Sequence, residues 1–362
     1  MVLNYQERLM NDRKQHITLD GTIFGLQSFG GISNYWGRLI HFIDNQSHLK
    51  SHLIIPSYIR YSDYNSSWHI NSTIGKDTLP NSVSRYLDVP IDVKCDVFHT
   101  SYFRVPKNKP HKYVVTVYDF IYERYRTGPA RWVHSWQKLR SIRMADDVIC
   151  ISHATREDVL RYLPDVNPAR VHTVYLGVDQ NAFFPEHLDK ASNLKNTVLY
   201  VGQRSKYKRF DLAIEAVEQC IDLSLGIVGP ALGGHEIEML ESRLRGRWHS
   251  FGPVSSSNLR VLYSTAFAFI FPSDYEGFGL PILEAMACGC PVVASSTSSL
   301  PEVGGAAAIY AIEQSPEAYA FGLKQLMNSV STRNDAITAG FHQANLFTWS
   351  RTFDQTISIY QG

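Results

Sequence analysis

The sequence predicts an α/β protein built from two doubly wound, Rossmann-like domains. Short β-rich runs alternate with helical stretches along both halves of the 362 residues, which is typical of parallel sheets covered by helices. A chain of this length is too long to fold around one ordinary hydrophobic core, so we expect two domains of roughly 150 to 200 residues. Ligands of such open sheets bind at the carboxyl ends of the strands. We therefore expect the site in a cleft that the two domains face.

The first domain is predicted over residues 1–180. Its strands are short apolar runs, namely HITLDG, HLIIPS, VFHT, YVVTVYD, DVICIS and RVHTVYLG. Helices are predicted near residues 32–46, 130–145 and 153–162, the last of them with Ser152 as its N-cap.

The second domain is predicted over residues 181–347. Its strands are TVLYVG, LSLGIVG, RWHSFG, AFAFIFP, PVVAS and AAIYA. The helices between them are predicted near residues 210–222, 235–246, 256–265, 281–288 and 315–330. The polar segment 178–196 is the predicted linker, and residues 348–362 form a last helix.

Composition excludes several classes of protein. The net charge is +1 and 44% of residues are apolar, which is typical of a globular chain rather than a disordered one. No apolar run approaches the roughly 18 residues of a membrane span. The N-terminal segment has no apolar signal core, so we expect a cytoplasmic protein. The five cysteines form no C-x-x-C pair, which favours reduced thiols over a metal site.

The charge is unevenly distributed. Residues 1–180 carry 22 Lys and Arg against 17 Asp and Glu, a balance of +5, and the remainder carries 13 against 17, a balance of −4. A modestly basic first half suits a phosphate-bearing or membrane-bound partner. The excess is too small to indicate nucleic acid.

The stretch DYEGFGLPILEAMACGCPVVAS, residues 274–295, combines an anion cradle with two carboxylates. Gly277 and Gly279 follow a buried strand and precede a helix, where backbone N–H groups and the helix dipole attract anions. Glu276 and Glu284 flank them, and carboxylates accept hydrogen bonds from sugar hydroxyls. A nucleotide-diphosphate sugar has both chemical parts. The alternative is that Glu284 only favours the helix dipole and Glu276 is a solvated loop charge.

Two further segments carry phosphate-binding chemistry. VGQRSKYKRFD, residues 201–211, follows a strand and opens a helix, and we predict that Arg204 and Lys208 clamp a diphosphate. The alternative is a solvated basic loop. Gly30 and Gly31 precede a helix and would let the backbone approach the phosphate, unless they form an ordinary turn.

The segment EGFGLPILE followed by AMACGCPVVAS resembles the E-x7-E signature of the retaining glycosyltransferases of family 4, which have the GT-B fold. The resemblance covers most of residues 17–360. Further segments that resemble the family in the expected order are FGGISNYWGRLI, DVFHTSYFRVP, VVTVYDFIYE, HSWQKLRSIRMADDVICISHATREDVL, VYLGVDQNAFFP, VLYVGQRSKYKRFDLAIEA, LYSTAFAFIFPSDYEGFG and SSLPEVGGAAAIY. In the GT-B fold the last helix crosses back onto the first domain.

The resemblance also implies roles for individual residues. Glu276 matches the carboxylate near the donor sugar and is a candidate catalytic residue. The residues expected to bind the nucleotide sugar are Arg204, Lys208, Glu284, Gly277, Phe278, Gly279, Leu280, Gly30 and Gly31. Glu302 is a further candidate in the same domain, or it simply caps a helix.

The chain departs from the family at Tyr118, where many members have His before Asp. We expect Asp119, or failing that the Tyr118 hydroxyl, to occupy the space, and Asp119 is the second candidate catalytic residue; the alternative is that it caps a loop. His99, Ser101 and Tyr102 are candidates for an acceptor pocket, although His99 is as well explained as a buried, hydrogen-bonded residue.

The resulting expectation is a retaining hexosyltransferase that takes mannose or a related sugar from a GDP donor. Its acceptor would be a hydroxyl of a glycan, lipid-linked, in bacterial surface polysaccharide such as O-antigen or capsule. No D-x-D metal motif is evident, so neither metal nor cofactor is expected. The alternatives are a UDP-sugar donor, a nucleotide-sugar epimerase, a phosphorylase, or a non-catalytic nucleotide-sugar-binding subunit.

Residues 122–143 carry six basic residues together with Trp132 and Trp136. They predict either a helix packed on the sheet with a wet basic face or a helix on the inner face of a membrane. The second reading would make the protein peripherally attached.

Overall fold

The computed structural model describes residues 14–27, 30–56, 73–77, 81–91, 95–186 and 194–362. The chain divides into two compact units. The first contains the described residues up to 151 together with 155–174 and 352–362, and the second contains 152–154 and 175–351. Part of the predicted linker, residues 187–193, and Phe29 of the glycine loop lie outside the described residues.

The first unit contains a parallel seven-stranded sheet. Its strands are β1 Gln15–Asp20, β2 Leu49–Pro56, β3 Thr73–Asp77, β4 Val97–Thr100, β5 Lys112–Val117, β6 Asp147–Cys150 and β7 Val171–Thr173. The helices that follow them in this part of the chain are α1 Thr22–Leu26, α2 Gly31–Asp44, α3 Asn81–Ser84, α4 Ile121–Tyr125, α5 Pro129–Met144 and α6 His153–Tyr162. The strand order is β3-β2-β1-β4-β5-β6-β7.

The core of this unit lies where helices cover near-continuous apolar strands, as parallel sheets require. Tyr35, Trp36 and Leu39 of α2 are buried, and so are Val114 and Val115 of β5. The sequence predicted six of the seven strands and missed β3.

The second unit contains a parallel six-stranded sheet. Its strands are β8 Thr197–Val201, β9 Ser224–Val228, β10 Trp248–Gly252, β11 Ala268–Phe271, β12 Val292–Ser295 and β13 Ile309–Ala311. Its helices are α7 Phe210–Glu218, α8 Gly234–Leu244, α9 Ser256–Thr265, α10 Leu280–Ala287, α11 Leu300–Gly304, α12 Pro316–Asn328 and α13 Val330–Asn345. The strand order is β10-β9-β8-β11-β12-β13.

Both sheets reverse their strand order at one point, between β1 and β4 and between β8 and β11. This reversal defines a doubly wound sheet, so the predicted fold class is confirmed in both units. The last helix, α14 Trp349–Gln361, belongs to the first unit from Thr352 onward. Its Phe353 ring packs against Tyr35 at a centroid distance of 5.8 Å. The chain therefore returns to the unit in which it began.

Among the described residues, no helix combines the length and the apolar character needed to cross a membrane.

Candidate functional site

The reversal point of the second sheet gathers the residues that the sequence singled out. The loop after β8 carries Arg204 and Lys208, and the loop after the neighbouring strand β11 carries Glu276. Because the carboxyl ends of parallel strands meet at one edge of a sheet, residues more than 60 positions apart become neighbours.

Lys208 and Glu276 form a direct ion pair through Nζ and Oε1. Lys208 ends the 3-10 turn Lys206–Lys208. Ser273 Oγ donates to the same carboxylate oxygen at 2.6 Å, and the Glu276 backbone N–H donates to Ser298 Oγ at 2.9 Å. Glu276 is 8% exposed. The carboxylate and the ammonium are therefore held in place before any ligand arrives.

The Arg204 guanidinium is hydrogen-bonded on one side and has an unpaired donor on the other. Its Nε donates to Glu236 Oε1 at 2.7 Å, and its Nη2 donates to the carbonyls of Pro230 and Ala231 at 2.9 and 2.7 Å. Its Nη1 is buried and has no hydrogen-bond partner among the described residues. A Cβ built on Gly229 would lie 3.4 Å from this nitrogen. The guanidinium thus keeps a donor free for a ligand beside a glycine.

Glu236 is a functional neighbour that sequence reasoning missed. It sits in the first turn of α8, where it also accepts a hydrogen bond from the Gly233 N–H at 2.7 Å. Burial opposes its ionisation, but the hydrogen bonds from Arg204 and Gly233 hold the pKa of its carboxyl below the ordinary value. The sequence does show an acidic residue in the first helical turn after a Gly-Gly pair. That pattern alone does not predict that Arg204 is its partner.

The loop from Glu276 to Leu280 is held by side chains from the loop after β12. Ser299 Oγ donates to the carbonyls of Glu276 and Phe278 at 3.0 and 2.7 Å. Gly279 has φ +109°, and a Cβ there would lie 2.6 Å from Leu300 Cδ2. The helix α10 begins at Leu280, so its N–H groups open toward this loop.

The Phe278 ring packs against Tyr175 and Phe347 at centroid distances of 6.2 and 5.9 Å. The Gly277 backbone is buried in the same loop. The Phe278 side chain therefore anchors the loop, so a ligand of this loop would bind to its peptide groups.

Glu284 lies in the second turn of α10. It is partly buried, and among the described residues none donates a hydrogen bond to its carboxylate. Burial, with the Asp179 carboxylate adding repulsion, raises the pKa of Glu284 to about 7. A ligand hydroxyl that donates to this group would relieve its loss of hydration.

A separate cavity of about 250 Å³ lies within the first unit. Ser101, Tyr102 and Asp119 line it together, as do Gln27 at the end of α1 and Ile32 in the first turn of α2. Asp119 Oδ1 also accepts the Ile121 N–H at 2.9 Å, so this carboxylate caps α4 while it faces the cavity. This hydrogen bond is the capping role that the sequence left open as the alternative, and the catalytic role of Asp119 stays a prediction.

His99 and Tyr118 lie in the core of the same unit. His99 is fully buried, contacts the hydroxyls of Tyr360 at 2.5 Å and Thr116 at 2.8 Å, and is not among the residues that line the cavity. Burial lowers its pKa to about 3. The Tyr118 hydroxyl accepts a hydrogen bond from Trp36 Nε1 at 2.5 Å, and Tyr118 itself lines the cavity.

Beneath the cavity lies a buried ion pair that the sequence did not predict. Lys138 Nζ donates to Glu123 Oε2 at 2.7 Å and to the Asp119 carbonyl at 2.9 Å. The pair joins α4 to α5. The segment 122–143 was predicted as a helix packed on the sheet with a wet basic face or as a membrane-surface helix, and no local pattern marks its single lysine as buried.

The glycine loop lies at the start of α2, where Gly30 is the N-cap and provides no side-chain cap. A Cβ on Gly30 would meet the Gln27 amide at 2.1 Å, whereas a Cβ on Gly31 would meet nothing within 4 Å. The Gln27 amide is the end of a flexible side chain that can move, and the φ of Gly30 is extended, so neither position requires a glycine.

Glu302 has a structural explanation. Its carboxylate accepts the backbone N–H groups of His153 and Ala154 at 2.8 and 3.0 Å and the Tyr175 hydroxyl at 3.0 Å. Its acceptors are therefore occupied. Over the described part of the chain, no cluster of three or more His, Cys, Asp or Glu residues is arranged to hold a metal ion.

Two families match the chain, one on each half. Residues 30–182 match Glycosyltransferase Family 4 and residues 186–343 match Glycosyl transferases group 1. O-antigen chain mannosyltransferase B of Escherichia coli is 42% identical over 125 residues, which is 34% of this chain and 33% of that protein. Alpha-maltose-1-phosphate synthase of Mycolicibacterium smegmatis is 27% identical over 261 residues, 65% of this chain and 67% of that protein. The match thus spans only a third of the first relative.

Solved structures show the same two-domain architecture. Sucrose-phosphate synthase from Thermosynechococcus elongatus superposes with a TM-score of 0.75 at 18% identity, covering 96% of this chain and 98% of the other. Anabaena Alr3699/HepE in complex with UDP and glucose gives 0.71 at 15% identity, covering 97% and 100%. At this identity the likeness concerns the fold alone, and it confirms the predicted GT-B fold.

Proposed function

We propose, from the premise that this chain belongs to the family 4 glycosyltransferases, that it is a retaining hexosyltransferase. The observation that carries this proposal is the Lys208–Glu276 ion pair before the N-terminus of α10, with the unpartnered Arg204 Nη1 on the neighbouring loop. Two cations and a helix N-terminus suit a diphosphate. The carboxylates of Glu276 and Glu284 suit the hydroxyls of the attached sugar and ribose.

In the proposed reaction, the bond between the anomeric carbon of the donor sugar and the diphosphate oxygen breaks. The oxygen of an acceptor hydroxyl bonds to that carbon on the same face, and the hydroxyl proton passes to the departing phosphate oxygen. Arg204, Lys208 and the α10 N-terminus stabilise the negative charge that develops on the departing diphosphate. Glu276 holds the sugar. Since these groups already supply positive charge, we propose that neither metal nor cofactor is needed.

For the donor we propose GDP-mannose or a related sugar, with a UDP sugar as the alternative. The support is the 42% identity to an O-antigen mannosyltransferase over 125 residues. The glycan acceptor is proposed to bind in the cavity of the first unit, where Asp119 presents its carboxylate and Ser101 and Tyr102 complete the lining. Bacterial surface polysaccharide such as O-antigen or capsule is the proposed product.

A lipid-linked acceptor would bring the protein to the inner face of a membrane. Support comes from α5, on which Trp132 and Trp136 are 71% and 62% exposed. Arg131 and Arg140 stand over these rings at 5.7 and 5.6 Å. Exposed tryptophans next to cations are suited to an anionic lipid surface. We propose peripheral attachment through this helix.

The test is thermal unfolding with GDP, UDP and ADP, each with and without Mg²⁺. A nucleotide at 100 times its Kd should stabilise the protein by about 2.7 kcal/mol. We expect one nucleotide to raise the Tm without metal, and Arg204→Ala to abolish that rise. Lys206→Ala is the matched control, because Lys206 is an exposed cation of the same loop.

Transfer of radiolabelled sugar from the preferred nucleotide then separates an enzyme from a binding subunit. Donor turnover without any acceptor product would favour an epimerase, and binding without turnover would favour the subunit. If none of the three nucleotides raises the Tm, the proposed donor site is refuted.

A further inference from the structure

The loop after β9 and the helix that follows it surround the Arg204 guanidinium with hydrogen-bond acceptors. A guanidinium has five N–H donors and no acceptor. The Nε of Arg204 donates to Glu236 Oε1 at 2.7 Å, and its Nη2 donates to the carbonyl oxygens of Pro230 and Ala231 at 2.9 and 2.7 Å. Two of the three guanidinium nitrogens are therefore already bound by the protein, and neither is left for a ligand.

The third nitrogen, Nη1, is the one that a ligand can use. It is buried and no described residue accepts a hydrogen bond from it, while the whole Arg204 side chain is 6% exposed. A buried donor without an acceptor is costly, which favours a ligand oxygen at this atom. A bidentate contact with a phosphate uses two nitrogens of the guanidinium. Since Nε and Nη2 are engaged, Arg204 would bind a diphosphate through Nη1 alone, in an orientation that the protein sets.

Glu236 is itself fixed on both carboxylate oxygens. Its Oε1 accepts from Arg204, and its Oε2 accepts the Gly233 N–H at 2.7 Å. It lies in the first turn of α8, where the positive end of the helix dipole offsets part of the carboxylate charge. A diphosphate beside Arg204 would therefore be repelled only weakly by Glu236, and the position of the carboxylate is the stronger of its two effects.

The backbone of the loop after β9 can reach Arg204 because glycine begins this loop. Gly229 has φ +151°, and a Cβ there would lie 2.4 Å from the carbonyl oxygen of Gly202 and 3.4 Å from Arg204 Nη1. A backbone oxygen cannot move aside as the end of a side chain can, so the loops after β8 and β9 approach each other only without a side chain here. Among the described residues, Glu236 is the one whose side chain accepts a hydrogen bond from Arg204.

We propose that Glu236 is a positioning residue, which fixes the Arg204 guanidinium so that Nη1 is directed to the donor diphosphate. The inference rests on the proposed function and adds to it a residue that acts through Arg204 rather than on the nucleotide sugar. Without Glu236, Nε loses its partner and the long arginine side chain becomes ordered only when the diphosphate binds. The entropy cost of that ordering then weakens binding.

The experiment titrates the full chain with GDP and, separately, with UDP, and follows binding by NMR. We expect Glu236→Ala to weaken binding of the preferred nucleotide about tenfold, the scale of ordering one long side chain. Glu236→Gln keeps a carbonyl oxygen that can accept from Nε, so its affinity should stay within about threefold of the wild type. Glu238→Ala is the matched control, because Glu238 is an exposed acid of the same helix.

A double-mutant cycle separates positioning from a purely structural role of Glu236. In an Arg204→Ala background, Glu236→Ala should cause no further loss of affinity, because the residue it positions is gone. A residue that only stabilised α8 would weaken binding equally in both backgrounds. If Glu236→Ala does not fold, Glu236→Met takes its place, since it keeps the length of the side chain without a strong acceptor.

The Nε–H resonance of Arg204 gives a direct signature of the contact. It is identified as the arginine signal that Arg204→Lys lacks. Its hydrogen should exchange with water faster in Glu236→Ala than in the wild type, and unchanged in Glu238→Ala.

The outcomes distinguish this inference from the proposed function. If neither nucleotide binds, the proposed function is refuted. If a nucleotide binds through Arg204 but Glu236→Ala leaves its affinity unchanged or raises it, or weakens it equally in both backgrounds, the positioning role alone is refuted. Equal losses in Glu236→Gln and Glu236→Ala would also overturn it, because the charge of the carboxylate and not its position would then matter.

Discussion

Glu284 shows how one side chain can couple ligand binding to stability. Its pKa of about 7 means that the folded chain holds a proton that the unfolded chain, with an ordinary value of 4.5, has already released. Between these two values the folded state binds more protons, so stability falls as pH rises and is lowest above pH 7. The full penalty has an upper bound of about 3 kcal/mol.

Glu284→Gln should therefore raise the Tm at pH 8 and leave it nearly unchanged at pH 4.5. The same variant should bind nucleotide sugar more weakly at pH 8, since the amide accepts hydrogen bonds less strongly than the carboxylate. Thermal unfolding across this pH range checks both effects. Glu238→Gln is the control, because Glu238 is an exposed acid on α8. An equal rise in Tm at both pH values would contradict the explanation.

Residues within one sequence motif were easier to predict than residues that act through distant partners. Arg204, Lys208 and Glu276 follow strands directly, and the position of each strand end can be read from the apolar pattern. Glu236 is 32 positions from Arg204. No local sequence pattern predicts that these two residues pair. Lys138 is similar, because its burial depends on how α5 packs and not on its own neighbours in the chain.

At the scale of elements, apolar runs predicted twelve of the thirteen strands that the structure describes. The exception is β3, the edge strand TIGKD, which pairs with β2 on one side only and needs no continuous apolar run. Helix α13 was also missed. Its sequence is polar, and it packs through small residues: a Cβ on Gly340 would lie 3.3 Å from Met286 Cγ. Small residues give no periodic signal.

Helix α5 packs on the first unit, which is one of the two structures that its sequence left open, and its attachment to a membrane stays a proposal. Gln137, Lys138 and Ile142 are buried against the first unit, while Trp132 and Trp136 are exposed. The buried residues and the exposed tryptophans therefore lie on opposite sides of one helix, and the proposed attachment would use the exposed side. The buried side carries Lys138 of the cavity lining, so the same helix would hold the proposed acceptor site near the proposed lipid surface.

Replacing Trp132 and Trp136 together by Ala should weaken binding to phosphatidylglycerol vesicles about tenfold and leave nucleotide binding unchanged. Binding should also fall with added salt, since cations contribute to it. Vesicle co-sedimentation measures both effects. Phe321→Ala is the matched control, because Phe321 is 64% exposed on α12 of the other unit. Equal loss in the control, or binding that is indifferent to lipid charge, would exclude α5 as the attachment surface.

At the scale of the whole molecule, the first unit is completed by the last helix of the chain. Tyr360 contacts His99, Lys112 Nζ donates to the Ile359 carbonyl at 2.7 Å, and Phe353 packs against both Tyr35 and Phe42. The fold of this unit therefore depends on contacts between residues more than 240 positions apart in the chain.

Phe353→Ala should destabilise the first unit by about 3 to 5 kcal/mol, as for other buried aromatic side chains, and spare the donor site, whose residues all belong to the second unit. Hydrogen exchange read by mass spectrometry should show faster exchange in β1, β4 and β5, with little change in β8 and β11. The nucleotide should still slow exchange in the second unit. Gln355→Ala, an exposed change on the same helix, is the control. If Phe353→Ala loosened both sheets equally, the two units would unfold as one, and the donor site would depend on the last helix after all.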